Sequence, residues 1–399
     1  MFEYKFNMAE TLAMAVILLL VGRFIKSKVS FFEKFFIPAP VIGGVIFSII
    51  TLIGHNTGSF MFSFEGSLKD LLMIAFFTTI GFAASFGMLK KGGIQVFIFL
   101  LVATGLVVIQ NFAGVSMAKF FGLNPLLGIA AGSVPLTGGH GTSGAFGPVL
   151  ESAGATGAMS VAIASATFGL VAGCMIGGPI AKKLMLKHKL IGNTEDSEIV
   201  YSDDTLLEDE NKTLDESLIF KALVYIIISM GIGGFIGPIF KNFGITLPAY
   251  IGPMLIAAVI RNIFDSTKKE LPMHAINVIG NISLQLFLAM ALMTMRLWEL
   301  AALALPLIVM LVVQTVIMAL YAHFVTFRVM GRDYDAAVMA TGHCGFGMGA
   351  TPNAMANMES FTTVNGPSPR AFFVLPLVGA LFIDFVNASV ITLFINFFG

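Results

Sequence analysis

Two glycine-rich stretches of this chain combine the residue types needed to hold a small cation and an anion side by side: Gly138-Gly139-His140-Gly141-Thr142-Ser143-Gly144 and Gly342-His343-Cys344-Gly345-Phe346-Gly347-Met348-Gly349. Glycine lets the backbone unwind and lets a ligand approach main-chain N–H and C=O groups closely. Where one short helix ends, its unpaired carbonyls suit Na+; where the next begins, its unpaired N–H groups suit a carboxylate. The candidate anion site takes in Thr137, Gly138, Gly139, His140, Gly141, Thr142 and Ser143 from the first stretch. From the second it takes Gly342, His343, Cys344, Gly345 and Thr351, and carbonyls near Gly139 and Gly345 face the cation. Thr142, Ser143 and Thr351 are the hydroxyl donors. His140 and His343 fit core histidines bonded to a backbone carbonyl as well as they fit ligand contacts, and their paired positions favour the second. No Lys or Arg sits in the middle of an apolar run, so an anion there depends on helix N-termini, hydroxyls and imidazoles. Asp384 is the one acidic residue deep in such a run. Leaving its charge unpaired costs roughly 2.5–3.5 kcal/mol, which assigns it to Na+ with Asn387 one turn on as helper; the alternative is a protonated, hydrogen-bonded structural Asp. Gln110, Asn111, Asn281, Gln285 and Gln314 are explained by hydrogen bonds between helices.

The frame for these side chains must be built in lipid. Of the 399 residues 57% are hydrophobic and 12% charged, against about 25% charged in a soluble domain. The abundance of glycine, phenylalanine and methionine suits close helix packing in a membrane. A net charge of zero gives no basic patch for nucleic acid. Cys174 and Cys344 sit in apolar or glycine-rich stretches of different halves, which argues against a disulfide framework; Cys344, at an expected loop tip, is the one expected to react with thiol reagents.

A bilayer crossing takes about 20 apolar residues. About ten runs qualify: 8–21, 38–54, 71–88, 94–115, 159–180, 218–239, 248–260, 276–295, 300–325 and 372–397. No small-residue cleavage site follows the first, so it reads as a retained span. Lys and Arg concentrate in alternate loops, which places those loops in the cytoplasm and both termini in the periplasm. The acidic stretch 190–217 is a solvated cytoplasmic linker between a repeat at 1–189 and a repeat at 218–399.

The two halves echo each other in order. Ile37-Pro38-Ala39-Pro40 corresponds to Leu247-Pro248-Ala249-Tyr250, Val107-Val108-Ile109-Gln110 to Leu311-Val312-Val313-Gln314, and Thr137-Gly138-Gly139-His140-Gly141 to Thr341-Gly342-His343-Cys344-Gly345. With an odd number of spans in each half, the second enters the membrane from the opposite side. Residues 124–157 and 335–366 are too apolar for free loops and too broken by glycine and proline for plain spans. Each reads as a re-entrant helical hairpin, one dipping from each side so that the tips meet near the midplane. The expected fold is an all-α polytopic membrane protein of about ten transmembrane helices in two inverted-topology repeats, and the expected class is a secondary transporter.

Leu136-Thr137-Gly138-Gly139-His140-Gly141-Thr142, Gly342-His343-Cys344-Gly345-Phe346-Gly347, Leu71-Leu72-Met73-Ile74-Ala75-Phe76-Phe77, Phe287-Leu288-Ala289-Met290-Ala291-Leu292 and Phe382-Ile383-Asp384 resemble the bacterial sodium/glutamate symporters over nearly the whole chain apart from the acidic linker. The resemblance implies Na+-driven uptake of L-glutamate, inverted five-span domains, residues of both re-entrant loops along the path, and a bacterial inner-membrane location. Pro135 and Thr137 depart mildly from that family's pattern. By analogy with elevator-like carriers a homodimer is expected. The competing readings are an inverted-repeat carrier for dicarboxylates, citrate or protons; a membrane metalloenzyme using His140, His343 and Asp384, against which stands the lack of any H-E-x-x-H motif; and a channel, for which no ring of charges is visible.

Overall fold

In hydrocarbon each backbone N–H and C=O must be paired within its own segment, which leaves helix as the solution for apolar runs of this length. The computed structural model describes residues 2–91, 93–192, 215–241, 247–301 and 303–399. Most of the expected acidic linker, including Glu195, Asp196, Glu198, Asp203, Asp204, Glu208, Asp209 and Glu210, lies outside the described residues.

The first half opens with strand β1 (Phe2–Phe6), then α1 (Met8–Lys28), α2 (Ala39–Thr57), strand β2 (Phe60–Phe64), α3 (Ser67–Ala83) and α4 (Gly93–Phe120). Three short helices follow, α5 (Pro125–Ala130), α6 (Ser133–Leu136) and α7 (Gly139–Ser152), and then α8 (Ala158–His188). The second half comprises α9 (Glu216–Gly233), α10 (Ile251–Ser266), α11 (Met273–Leu292), α12 (Ala304–Tyr321), α13 (Tyr334–Gly347), α14 (Thr351–Asn365), α15 (Pro369–Leu381) and α16 (Ile383–Phe398). Among the described residues eight helices are long and apolar enough to cross a membrane, and the pair α15 and α16, bent by 46° at Phe382, is a ninth crossing if counted as one. The run expected at 248–260 becomes α10, whose 16 residues span about 24 Å, less than the roughly 30 Å hydrocarbon core.

Local chemistry sets the boundaries. A capping box starts α1: Asn7 Oδ1 accepts from Glu10 N at 3.0 Å and Glu10 Oε2 from Asn7 N at 2.9 Å. Pro38 precedes α2, which stops at Gly58 in the left-handed region. Asp333 caps α13 through the Ala336 N–H at 2.8 Å.

The strands were not expected. β1 and β2 pair in parallel, Phe2 opposite Phe60 through Phe6 opposite Phe64. A parallel pair separated by two helices requires α1 and α2 to run in opposite directions, so chain entering α1 and chain leaving α2 lie at the same end of the bundle.

Packing divides the helices into two groups. α1, α2, α3, α9, α10 and α11 pack among themselves, with α3 against α11 and against α10. α4, α5 to α8 and α12 to α16 form the other group, with α8 against α7 and α13. The seam between the groups runs where α7 meets α11.

Candidate functional site

The site is built where helices stop short. Leu136 and Gly139 are separated by two residues, and Gly347 and Thr351 by three, so α5–α7 and α13–α14 are both helix–turn–helix units. Asn124 Nδ2 donates to the Gly154 carbonyl at 3.1 Å and closes the base of the first, and the Tyr334 hydroxyl donates to the Gly366 carbonyl at the base of the second. α8 starts beside the first base. Its other end lies at the second: Gly192 packs on the Asn365 carbonyl, and the His188 ring is 4.9 Å from that of Phe327. With 31 residues α8 is about 46 Å long, so the two units approach from opposite ends and meet turn to turn. A Cβ on Gly139 would come 3.2 Å from the Gly349 carbonyl oxygen. Gly169 and Gly173 admit the backbone of α13 and its turn against α8, and Gly177 the Asn357 and Thr341 side chains.

Gln110 of α4 ties the turns together. Its Nε2 donates to the Gly347 carbonyl at 2.7 Å, and its Oε1 accepts from the Thr137 hydroxyl at 2.8 Å. Gln314 Nε2 donates to the Gln110 carbonyl at 2.7 Å. Gln110 thus joins both turns, more than the simple helix–helix bond expected of it; its pairing with Gln314 between the two halves was the available signal.

Beside the turns, at the seam, lies a cavity of about 320 Å³, within the roughly 300–1,000 Å³ of small-molecule sites. Thr137, Gly138, Gly139, His140, Gly141 and Thr142 line it from the first turn, Thr351 from the second, and Asp384 from the bend between α15 and α16. Three helix N-termini, those of α7, α14 and α16, open around it, and the first N–H groups of each lack intrahelical acceptors. The Thr142 and Thr351 hydroxyls and the Asp384 carboxylate have no hydrogen-bond or ion-pair partner among the described residues, so all are available to a ligand. His140 Nε2 lies 3.0 Å from Thr167 Oγ1, whose own proton goes to the Ile163 carbonyl at 3.1 Å. The ring therefore donates from Nε2 and keeps Nδ1 as an acceptor.

Other expected site residues lie elsewhere. Ser143 is buried off the cavity, its hydroxyl bonded to the Gly139 carbonyl at 2.8 Å. Gly342, His343, Cys344 and Gly345 are not in the second turn; they are fully buried within α13, and the chain unwinds only at Met348–Ala350. Gly342 packs on Met358 and Leu375, and Gly345 on Ala354. These glycines serve helix packing. His343 stacks behind the cavity-lining Phe346, ring centroids 4.9 Å apart, with Nδ1 2.8 Å from Thr326 Oγ1. Cys344 has no exposed surface, whereas Cys174 is partly exposed, which reverses the expected order of thiol accessibility. Asn387 also lies off the cavity; its Nδ2 donates to the Ser133 carbonyl at 3.1 Å, while Asn387 Oδ1 and Ser133 Oγ are buried without partners among the described residues. Among the described residues no three His, Cys, Asp or Glu side chains cluster as a metal-binding group.

The opposite wall comes from the other helix group: Phe36, Pro38 and Pro40 around the start of α2, Phe76 of α3, and Leu284 and Gln285 of α11. None of these was expected at the site: Gln285 was read as a helix–helix hydrogen-bonding residue, and the apolar side chains carry no chemical signal that would have marked them.

Residues 4–367 match the family model described as sodium/glutamate symporter. The chain is 44% identical to a sodium/glutamate symporter of Escherichia coli (strain K12) over 399 aligned positions, covering 96% of each chain. It is 40% identical to one of Haemophilus influenzae over 395, covering 98% of this chain and 97% of the relative.

Proposed function

The chain belongs to the sodium/glutamate symporter family, and from that premise we propose that it takes up L-glutamate with Na+ across the bacterial cytoplasmic membrane by an elevator-like movement of one helix group against the other. The meeting of the two turns at a single cavity on the seam carries this reading. Glutamate brings two carboxylates and one ammonium. The N-termini of α7 and α14, with Thr142 and Thr351, supply donors for carboxylates without a basic side chain in the membrane interior. Asp384 supplies a formal negative charge for Na+, and Asn387, one turn on in the same helix, offers a further oxygen through its Oδ1, which has no partner among the described residues.

The helix–turn–helix units are re-entrant hairpins from opposite faces, and the halves are inverted repeats: in each, the second helix packs on the first, and the third helices α3 and α11 pack on each other. The group containing α7 and α13 to α16 carries the cargo; the group containing α1 to α3 and α9 to α11 stays fixed, with the second copy of a homodimer against it. Along the seam α7 turns Gly141 and Gly144 toward Phe76, Leu284, Phe287 and Leu288, a smooth face against apolar side chains; the Ser160 hydroxyl of α8, which donates to the Arg296 carbonyl at 3.2 Å, is a bond that sliding would break. The acidic linker and the basic loops face the cytoplasm, and both termini the periplasm.

Uptake of isotopic L-glutamate into proteoliposomes tests the function. An inward Na+ gradient should drive accumulation, and K+ in its place should not. Import of an anion against an inside-negative potential costs about 2.3 kcal/mol per 100 mV, so more than one Na+ per glutamate is expected, seen as inward current. Gradient-independent uptake, or outward current, would overturn the coupling. Cysteines at Gly144 and Leu288, crosslinked across the seam, should arrest transport while leaving binding intact; full transport by the crosslinked protein would overturn the sliding.

A further inference from the structure

Arg23 follows the first apolar run, five residues before the end of α1, and is exposed rather than packed. Its Nη2 donates to Gln285 Oε1 at 2.6 Å, and Gln285 is part of the fixed wall of the cavity. Among the described residues no carboxylate pairs with it. An exposed guanidinium at the edge of the apolar run, with no carboxylate partner, is open to an anion, and its planar fork suits a carboxylate, with one N–H arm already set by Gln285. Phe36, Pro38 and Pro40, which follow α1, line the same cavity, so Arg23 stands where the cavity opens toward the end of the bundle that holds the α1–α2 loop. The other end of the seam differs. The second cavity there, of about 220 Å³, is lined by Lys69, which is already paired with Asp70 at 3.4 Å.

We infer that Arg23, held by Gln285, forms an anion subsite at one mouth of the cavity and receives a carboxylate of the dicarboxylic amino acid as it enters or leaves on that face alone. The inference rests on the two-body reading above. Arg23 and Gln285 belong to the fixed group, so they meet the cargo only while the turns stand at this depth. A guanidinium carried along with the cargo would act on both faces.

The test is L-glutamate transport by oriented proteoliposomes, with KM measured separately from each face for wild type, R23Q, R23K and Gln285→Leu. R23Q is expected to raise KM about tenfold, the scale of a lost charged hydrogen bond, on the face of the α1–α2 loop, leaving the other face unchanged. R23K should keep most of the wild-type affinity, and Gln285→Leu should raise KM on that same face by a smaller factor. Raising ionic strength with choline chloride should raise wild-type KM on that face, a readout that needs no variant to fold, and leave R23Q unaffected. Unchanged KM on both faces, with no salt dependence, would overturn the subsite. A rise on both faces would leave Arg23 as a substrate contact and overturn the two-body reading and the one-sided subsite.

Discussion

Alanine at Gly139 is the substitution whose cost the geometry sets most narrowly. Gly139 is the first residue of α7 and has φ +65°. An L-residue held in that region loses about 1–2 kcal/mol. The new methyl would also stand 3.2 Å from the Gly349 carbonyl oxygen, so strain is relieved by parting the two turns, which unmakes the place where helix N-termini converge. At about 1.4 kcal/mol per tenfold, G139A should weaken L-glutamate binding roughly 5- to 30-fold. Calorimetric titration of purified protein at saturating Na+ reads this, with thermal unfolding alongside to confirm that the fold persists. Gly178 of α8 is the control: a Cβ there meets nothing within 4 Å, and G178A should bind as wild type does. Wild-type affinity in a folded G139A protein would refute the turn-to-turn geometry as the seat of binding.

Thr142→Val and Thr351→Val remove hydroxyls that have no partner among the described residues, so each should raise KM for glutamate by roughly 10- to 100-fold, the range for a hydrogen bond to a charged group, with little change in melting temperature. Asp384→Asn removes the formal charge facing the cavity; glutamate binding should lose most of its Na+ dependence, read as a flattened plot of affinity against Na+ concentration. A membrane-permeant maleimide should label Cys174 and spare Cys344, so C174S abolishes labelling in the native protein, and labelling that persists in C174S would contradict the burial of α13.

The spans were legible because lipid imposes one pattern, long apolar runs with charge between them, and α1 to α4, α8, α9, α11 and α12 follow it. The first turn was legible as well, since the consecutive glycines Gly138 and Gly139 mark where the helix breaks, as the positive φ of Gly139 shows. The second was displaced. Gly342, Gly345 and Gly347 are as frequent as hinge glycines would be, yet they stay helical because they sit against α14, α15 and α4, and composition does not separate a glycine that unwinds from one that packs. Asp384 stood out as a lone acid, and the structure brings it to the cavity by bending α15 from α16, a break that no proline at the bend announces. β1 did carry a signal, apolar and charged residues alternating in Phe2-Glu3-Tyr4-Lys5-Phe6, but its partner lies beyond two spans and only the folded chain brings them together. The wall of Phe76, Leu284 and Leu288 looks like any lipid-facing surface until the other group packs on it.

A cryo-electron-microscopy map of the protein with saturating L-glutamate and Na+ would locate the cargo. Density for the amino acid is expected between the start of α7 and the start of α14, within hydrogen-bonding reach of the Thr142 and Thr351 hydroxyls, with a cation at Asp384. Glutamate density away from both turns, for instance in the smaller cavity beside Lys69 and Tyr250, would contradict the shared site.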